Sequence, residues 1–369
     1  VGNYTVYQFQ EAVMDTRGRE PQRLDGLVQG PPAVQLEATS RRNLLLGSLG
    51  ALSAGALLRP SRSSAAAPDR LRRFEHAHGG RSLLPFPAHL PPPVGGPVAR
   101  FEITVVDRTI EIAPGVRFRA WTFNGTVPGP VLHVRQGQPV EITFHNRGNM
   151  AHSFDLHAAR VAAGTAFRDI PPGKSMTLSF TAHDPGVFVY HCVTSPAVMH
   201  IAMGMYGAMV VTPAKPMPVA DHQFVLVGSE WYLYGTGQEK PADVDFDKAL
   251  DMRPDIVTFN GVANQYVDHA LHVAPGKLAR FYVGNAGPNL PIPFHVVGTV
   301  FERVYLDSDV TNWISGVQTT SVAPGAGAIF DVRFQQPGAN GFVNHAFANA
   351  HKGAQGTILV GDATGRMTH

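Results

Sequence analysis

Cysteine is almost missing from this chain. A single Cys192 in 369 residues excludes an intrachain disulfide framework, so ordinary apolar cores must hold the fold. Charge is sparse as well, at 16% of residues. Removing the seven arginines and five acidic residues of 1–67 from the totals of 30 and 28 leaves 23 of each sign in the remainder. A body without net formal charge has no polybasic footprint for phosphate backbones, which argues against a nucleic-acid partner. Long apolar runs are also lacking. The run from about Leu44 to Leu58 is short and rich in Gly, Ala and Ser, so no stable membrane span is expected after processing. Glycine (38) and proline (30) are plentiful, which suits many strands joined by turns in a chain too apolar for disorder.

The N-terminal text is TSRRNLLLGSLGALSAGALLRPSRSSAAA over residues 39–67. Arg41-Arg42 precedes the apolar run, and small residues at Ser64–Ala67 follow it. This pattern is an export signal of twin-arginine type, to be set aside from fold reasoning. It predicts a protein exported to the periplasm or the extracytoplasmic face. Residues 1–38 show no clear periodicity, so 1–67 is assigned as an N-terminal extension with the signal. Residues 68–97, rich in Pro, Gly, Arg and Ala, read as an extended arm.

From Phe101 the pattern changes to short alternating apolar runs separated by PG, GQ and NG turns, as in FEITVVDRTIEIA and PVLHVRQGQPVEITFHN. That is all-β patterning at sandwich spacing. The text then recurs in weaker form. FNGTVPGPVLHVRQGQPVEITFHN (123–146) matches FNGVANQYVDHALHVAPGKLARFYVGN (259–285), and IPPGKSMTLSFTAHDPGVFVYHC (170–192) matches VAPGAGAIFDVRFQQPGANGFVNHA (322–346). Two tandem β-sandwich domains are therefore expected, at 98–213 and 214–369. The segment 243–255 reads as a short helix or loop inserted in the second.

Cys192, His200 and Met205 bring a thiolate, an imidazole and a thioether within fourteen residues. With His152 from an upstream strand they form the ligand set of a blue-copper site, which needs a soft thiolate, two imidazoles and a weak axial Met. In the second copy, His191-Cys192 becomes His345-Ala346. The thiolate is lost and the histidine persists, which points to a separate role for that histidine.

Neighbours on a strand point to opposite faces. Cys192 and His152 can face the blue centre while His191 and His157 face outward. Two outward histidines need a third for an open metal site, and the repeat nominates His345. Three imidazoles and an open position suit a catalytic copper, with zinc the generic alternative. Asp155 shares the face of His157 and could relay a proton there. His295, in PIPFHVVGTVFERVY, could exchange one near neutral pH.

The strings FNGTVPGP, HSFDLHAA, PGVFVYHC, MHIAMGMYG, VGNAGPNL, FHVVGTVFERVY and FVNHAF resemble two-domain copper nitrite reductases of the cupredoxin superfamily. The resemblance runs from about residue 98 to 362. It is greatest to the subgroup with a short Cys-to-His loop and an FHVIG-type motif. It implies two tandem cupredoxin-like Greek-key β-sandwich domains. It implies type 1 copper on His152, Cys192, His200 and Met205, and type 2 copper on His157, His191 and His345. It places the catalytic pair on Asp155 and His295, and the pocket-shaping aliphatic side chain on Val297. It further implies a homotrimer in which His345 completes a neighbouring subunit's type 2 site. A small electron-donor protein, a cupredoxin or cytochrome c, and nitrite as substrate complete the expectation. The loops HAARVAAGTAF and VTSPAVM depart from the common family text but leave every ligand in place.

Two other readings compete. A laccase-like multicopper oxidase needs paired His-x-His strings, and the sequence has one such string, in the arm. An exported blue-copper electron carrier without turnover would hold one tightly bound copper per chain.

Overall fold

The computed structural model describes residues 86–367. The expected export signal, the extension before it and residues 68–85 of the expected arm lie outside the described residues. Eight strands come first: β1 (Ala99–Ala113), β2 (Val116–Phe123), β3 (Leu132–Arg135), β4 (Pro139–Asn146), β5 (Asp155–Leu156), β6 (Ser175–Thr181), β7 (Gly186–His191) and β8 (Tyr206–Thr212). They form two four-stranded sheets, in the orders β2-β1-β4-β6 and β3-β8-β7-β5. The next set begins with β9 (His222–Trp231), β10 (Leu233–Tyr234), β11 (Asp243–Val244), β12 (Ile256–Phe259), β13 (His269–Val273) and β14 (Leu278–Gly287). It continues with β15 (Ile292–Val296), β16 (Arg303–Tyr305), β17 (Trp313–Ile314), β18 (Thr319–Val322), β19 (Gly327–Arg333), β20 (Gly338–Asn344) and β21 (Gln355–Val360). Its main sheets run β12-β9-β14-β19-β16-β17 and β13-β21-β20-β15-β18.

The internal repeat of the sequence is a repeat of topology. In the first set β1 pairs parallel with β4, and β4 antiparallel with β6. In the second set β9 and β14, then β14 and β19, do the same. The facing sheets repeat as well: β3 with β8 and β13 with β21 are parallel, while β7 with β8 and β20 with β21 are antiparallel. Parallel pairing of strands distant in sequence requires the chain to cross between sheets, the mark of a sandwich and not of a meander. The segment between β11 and β12 carries a one-turn helix, Phe246–Leu250, whose Asp245 side chain accepts the Lys248 N–H as an N-cap.

Buried side chains gather into three large clusters among the described residues, and strands between them such as β9 and β14 are buried on both faces. Ile103, Ile142, Phe144, Phe154, Tyr190, Cys192 and Met205 belong to the core of the first sandwich. Phe224, Phe281, Phe294, Phe330 and Phe342 form an aromatic core in the second. A third cluster draws on both strand sets, joining Val187, Tyr206 and Val210 to Val225, Trp231, Tyr282 and Ile329. Each large apolar side chain buried here contributes about 1.5–3 kcal/mol. The described part of the arm lies across both sets. Leu90 N–H donates to Gln223 O, Val225 N–H to Ala88 O, and Val94 N–H to His133 O. No helix among the described residues is long and apolar enough to cross a membrane.

The segment before the lone cysteine is fixed by close packing. Tyr190 is fully buried and its hydroxyl donates to Pro130 O at 2.7 Å. Gly207 lies across from it in β8, and a Cβ at Gly207 would stand 2.3 Å from the Tyr190 ring and hydroxyl. Gly207→Ala should therefore lower stability by about 1–3 kcal/mol, the cost of overpacking a filled core. A shift in the denaturant midpoint at unchanged slope would show it.

Candidate metal centres

The end of β7 separates two neighbouring side chains. Cys192 is fully buried, whereas His191 is only partly so. The Cys192 Sγ lies 3.3 Å from His200 Nδ1 and 3.9 Å from His152 Nδ1. The two Nδ1 atoms are 3.3 Å apart. Each residue arrives by a different route. His152 is held in an isolated bridge to Ile170. His200 sits in the short helix Ala197–Ala202. Met205 is fully buried, and its backbone brackets the pair: Met205 N–H donates to His200 O, and Cys192 N–H to Met205 O. The structure thus gathers His152, Cys192 and His200 around one point and sets Met205 beside them.

This donor set fits a metal. Two donors each about 2.0–2.1 Å from a tetrahedral ion lie about 3.3 Å apart, close to the spacing of the two Nδ1 atoms. The Nε2 atoms of His152 and His200 are buried without a hydrogen-bond partner among the described residues, so no local acceptor fixes these rings. Both imidazoles are held neutral, as ligation requires. Burial, then the neighbouring His200, lowers the His152 pKa to about 4, and burial lowers that of His200.

His191 faces the other way, toward His157. Their Nε2 atoms are 3.1 Å apart. His157 Nδ1 lies 2.8 Å from Gly325 O, and His191 Nδ1 3.2 Å from Cys192 O. A carbonyl can only accept, so both Nδ1 atoms carry the proton and both Nε2 atoms present lone pairs to each other. Facing lone pairs at this distance call for a cation between them. Burial, and then His157, lowers the His191 pKa, favouring the neutral ligand form. Asp155 pairs directly across from His191 in the β5–β7 register, and its carboxylate lies within 4.8 Å of both imidazole ligand atoms. Odd spacing along the 152–157 segment delivers the expected opposite faces, although only Asp155–Leu156 is regular strand.

His345 is not in this cluster. It lies beside His295, the ring centroids 5.1 Å apart, and packs on Phe347 at 4.7 Å. His295 Nδ1 donates to Gln318 O at 2.6 Å. Val297 follows His295 by two residues, just past the end of β15, and is partly exposed, as is His295, whereas Phe294 and Val296 are buried. Within one chain the histidines therefore form a cluster at His157 and His191 and a separate pair at His295 and His345.

Three contributors escaped the sequence. Trp121 packs on His200 and His152, with centroid distances of 4.8 and 5.3 Å. Ser153 donates its N–H to Cys192 Sγ at 3.3 Å. Gly325, with φ of +80°, supplies the carbonyl that orients His157, and a Cβ there would sit 3.3 Å from the His157 ring. Only the Pro324-Gly325 pair itself hinted at a turn, and nothing tied that turn to a histidine 168 residues upstream.

Comparison with known proteins bears on these centres. The multicopper oxidase family matches residues 104–216. The chain is 39% identical to the copper-containing nitrite reductase of Neisseria gonorrhoeae over 268 residues, covering 71% of this chain and 68% of that protein. A solved copper nitrite reductase from Nitrosomonas europaea superposes with a TM-score of 0.67 at 34% identity, over 72% of this chain and 94% of that one. A solved multicopper oxidase superposes with a TM-score of 0.63 at 31% identity, over 72% and 89%.

Proposed function

The chain belongs to the copper-containing nitrite reductases, and on that premise we propose that it reduces nitrite to nitric oxide with two coppers in distinct roles. The observation that carries this reading is the split at the end of β7, where adjacent residues reach into different donor clusters. His152, Cys192, His200 and Met205 hold the type 1 copper, the soft thiolate suiting an electron-transfer centre. His157 and His191 hold the type 2 copper together with His345 of the partner subunit in a homotrimer. Bound copper supplies the electron at the nitrite site and a Lewis acid for the nitrite oxygens.

The exposed position of His345 beside the half-exposed Phe347 supports burial of that face by a second copy. The covalent link from Cys192 to His191 gives the shortest route between the two clusters. A small cupredoxin or cytochrome c is the proposed donor.

Conversion of nitrite to nitric oxide and water takes one electron and two protons, so the chain must deliver protons where the N–O bond breaks. Asp155, across the register from His191, is placed to hold a proton at its carboxylate beside bound nitrite. His295 is anchored through Nδ1 by Gln318 O, which leaves Nε2 as the atom for the second proton. Both groups meet in one site when the partner subunit brings His295 and His345 together. Val297, two residues after His295, shapes the pocket.

Anaerobic turnover with a reduced mediator and direct detection of nitric oxide tests this function. Copper-replete protein that makes none would defeat it. Asp155→Asn should keep both coppers yet lower turnover about a hundredfold, the lower end of what general acid catalysis contributes. The twin-arginine text supports a further part of the proposal, that the enzyme works in the periplasm or on the extracytoplasmic face.

A further inference from the structure

Each histidine beside Cys192 has one ring nitrogen near the sulfur and one turned away. The near atoms are Nδ1 of His152 and Nδ1 of His200. A neutral imidazole that ligates through Nδ1 carries its proton on Nε2. A ligating histidine ordinarily gives that proton to a carboxylate, a carbonyl or water, which strengthens its donation to the metal. Neither ring does so here. Both Nε2 atoms are buried and lack a hydrogen-bond partner among the described residues. Asp169 acts on both rings electrostatically, yet its carboxylate accepts from Thr194 Oγ1 at 2.7 Å.

Packing stands where the acceptors would be. Trp121 lies on β2 between the buried Ala120 and Thr122. Its backbone N–H donates to Met203 O at 3.0 Å, which pins the strand to the segment between His200 and Met205. The indole packs on the His200 ring at a centroid distance of 4.8 Å and on the His152 ring at 5.3 Å. Trp121 is partly exposed, whereas His200 is fully buried, so losing the indole brings solvent toward that ring. Gly148 closes the His152 ring, since a Cβ there would stand 3.1 Å from its Nε2.

We infer that Trp121 is a positioning residue that keeps the Nε2–H of His200 dry and without an acceptor, and so holds up the reduction potential of the copper bound there. An imidazole whose outer proton is unbonded gives less charge to the metal. A dry apolar shell disfavours the more highly charged, oxidised ion. Both effects favour the reduced ion and help the centre take an electron from its donor. The inference rests on the assignment of His152, Cys192 and His200 as copper ligands.

The test uses the copper-loaded full chain. Trp121→Ala should let water reach His200 Nε2 and lower the midpoint potential. The expected shift of the reduction equilibrium is up to about tenfold, which is about 59 mV for a one-electron couple. The His200 ring proton should also exchange faster with solvent, read by NMR of the reduced protein with isotopically labelled histidine. Trp121→Phe keeps an aromatic cap and should leave both readouts near those of the unmodified protein. An unchanged or raised potential in copper-replete Trp121→Ala, or an equal fall in Trp121→Phe, would overturn the inference while leaving the copper assignment intact. Fast exchange of the His200 ring proton in the unmodified protein would overturn it without any variant. Absence of the thiolate-to-copper band from the unmodified protein would overturn the copper assignment as well.

Discussion

Cys192→Ser should bleach the protein and stop mediated turnover, while one copper per chain remains. The side chain at 192 is fully buried in the first core, and serine replaces it with little change of shape, so folding should survive. A hydroxyl is a poor ligand for a site built on thiolate softness. The intense visible absorption depends on the sulfur and disappears with it. His157 and His191 meet through Nε2 atoms 3.1 Å apart and do not involve the sulfur, so the copper they hold should persist. Visible spectroscopy, metal counting and nitric oxide detection check the three parts separately. A blue band surviving in this variant would show that the sulfur ligates nothing.

His345→Ala should give the converse result, a protein that stays blue but loses nitrite turnover. Groups that merely orient metal ligands command about 10–100-fold in affinity or activity. Loss of a ligand should therefore reach about a thousandfold. The histidine is exposed and packs on His295 and Phe347, away from Cys192 and its partners. The same variant probes the assembly. Co-assembly of His345→Ala chains with His191→Ala chains should restore part of the turnover, because some sites then receive His191 from one copy and His345 from another. Neither variant alone can do this. No recovery in verified mixed trimers would place His345 outside the site, and a lost blue band would mean that the two centres have been interchanged.

The grouping of His152, Cys192 and His200 was legible because few residue types serve soft metals. A lone cysteine between histidines, with a methionine at fixed spacing, leaves little room for another interpretation. Strand parity alone separates His191 from Cys192, and the repeat singles out His345 by the alanine at 346. Topology was readable for the same reason, since matched segments such as β4 and β14 became matched strands. The acceptors that fix the rings were not legible. Gly325 O and Gln318 O are backbone atoms contributed from distant segments, and any residue type has a carbonyl. Ser153 was not legible either, because a small hydroxyl beside a histidine carries no composition signal. Trp121 is silent in the sequence because its contact with His152 and His200 is purely three-dimensional.

The bond from His157 to Gly325 O ties an imidazole of the earlier half to a turn in the later one. Duplication of a β-sandwich ordinarily yields separable modules, each free to diverge. Here the later half, with Ala346 where the earlier has Cys192, lends a tight turn that orients the earlier half's His157 and apolar side chains that pack against its flank. The setting of His157 therefore draws on both halves, a ring from one and the backbone that turns it from the other.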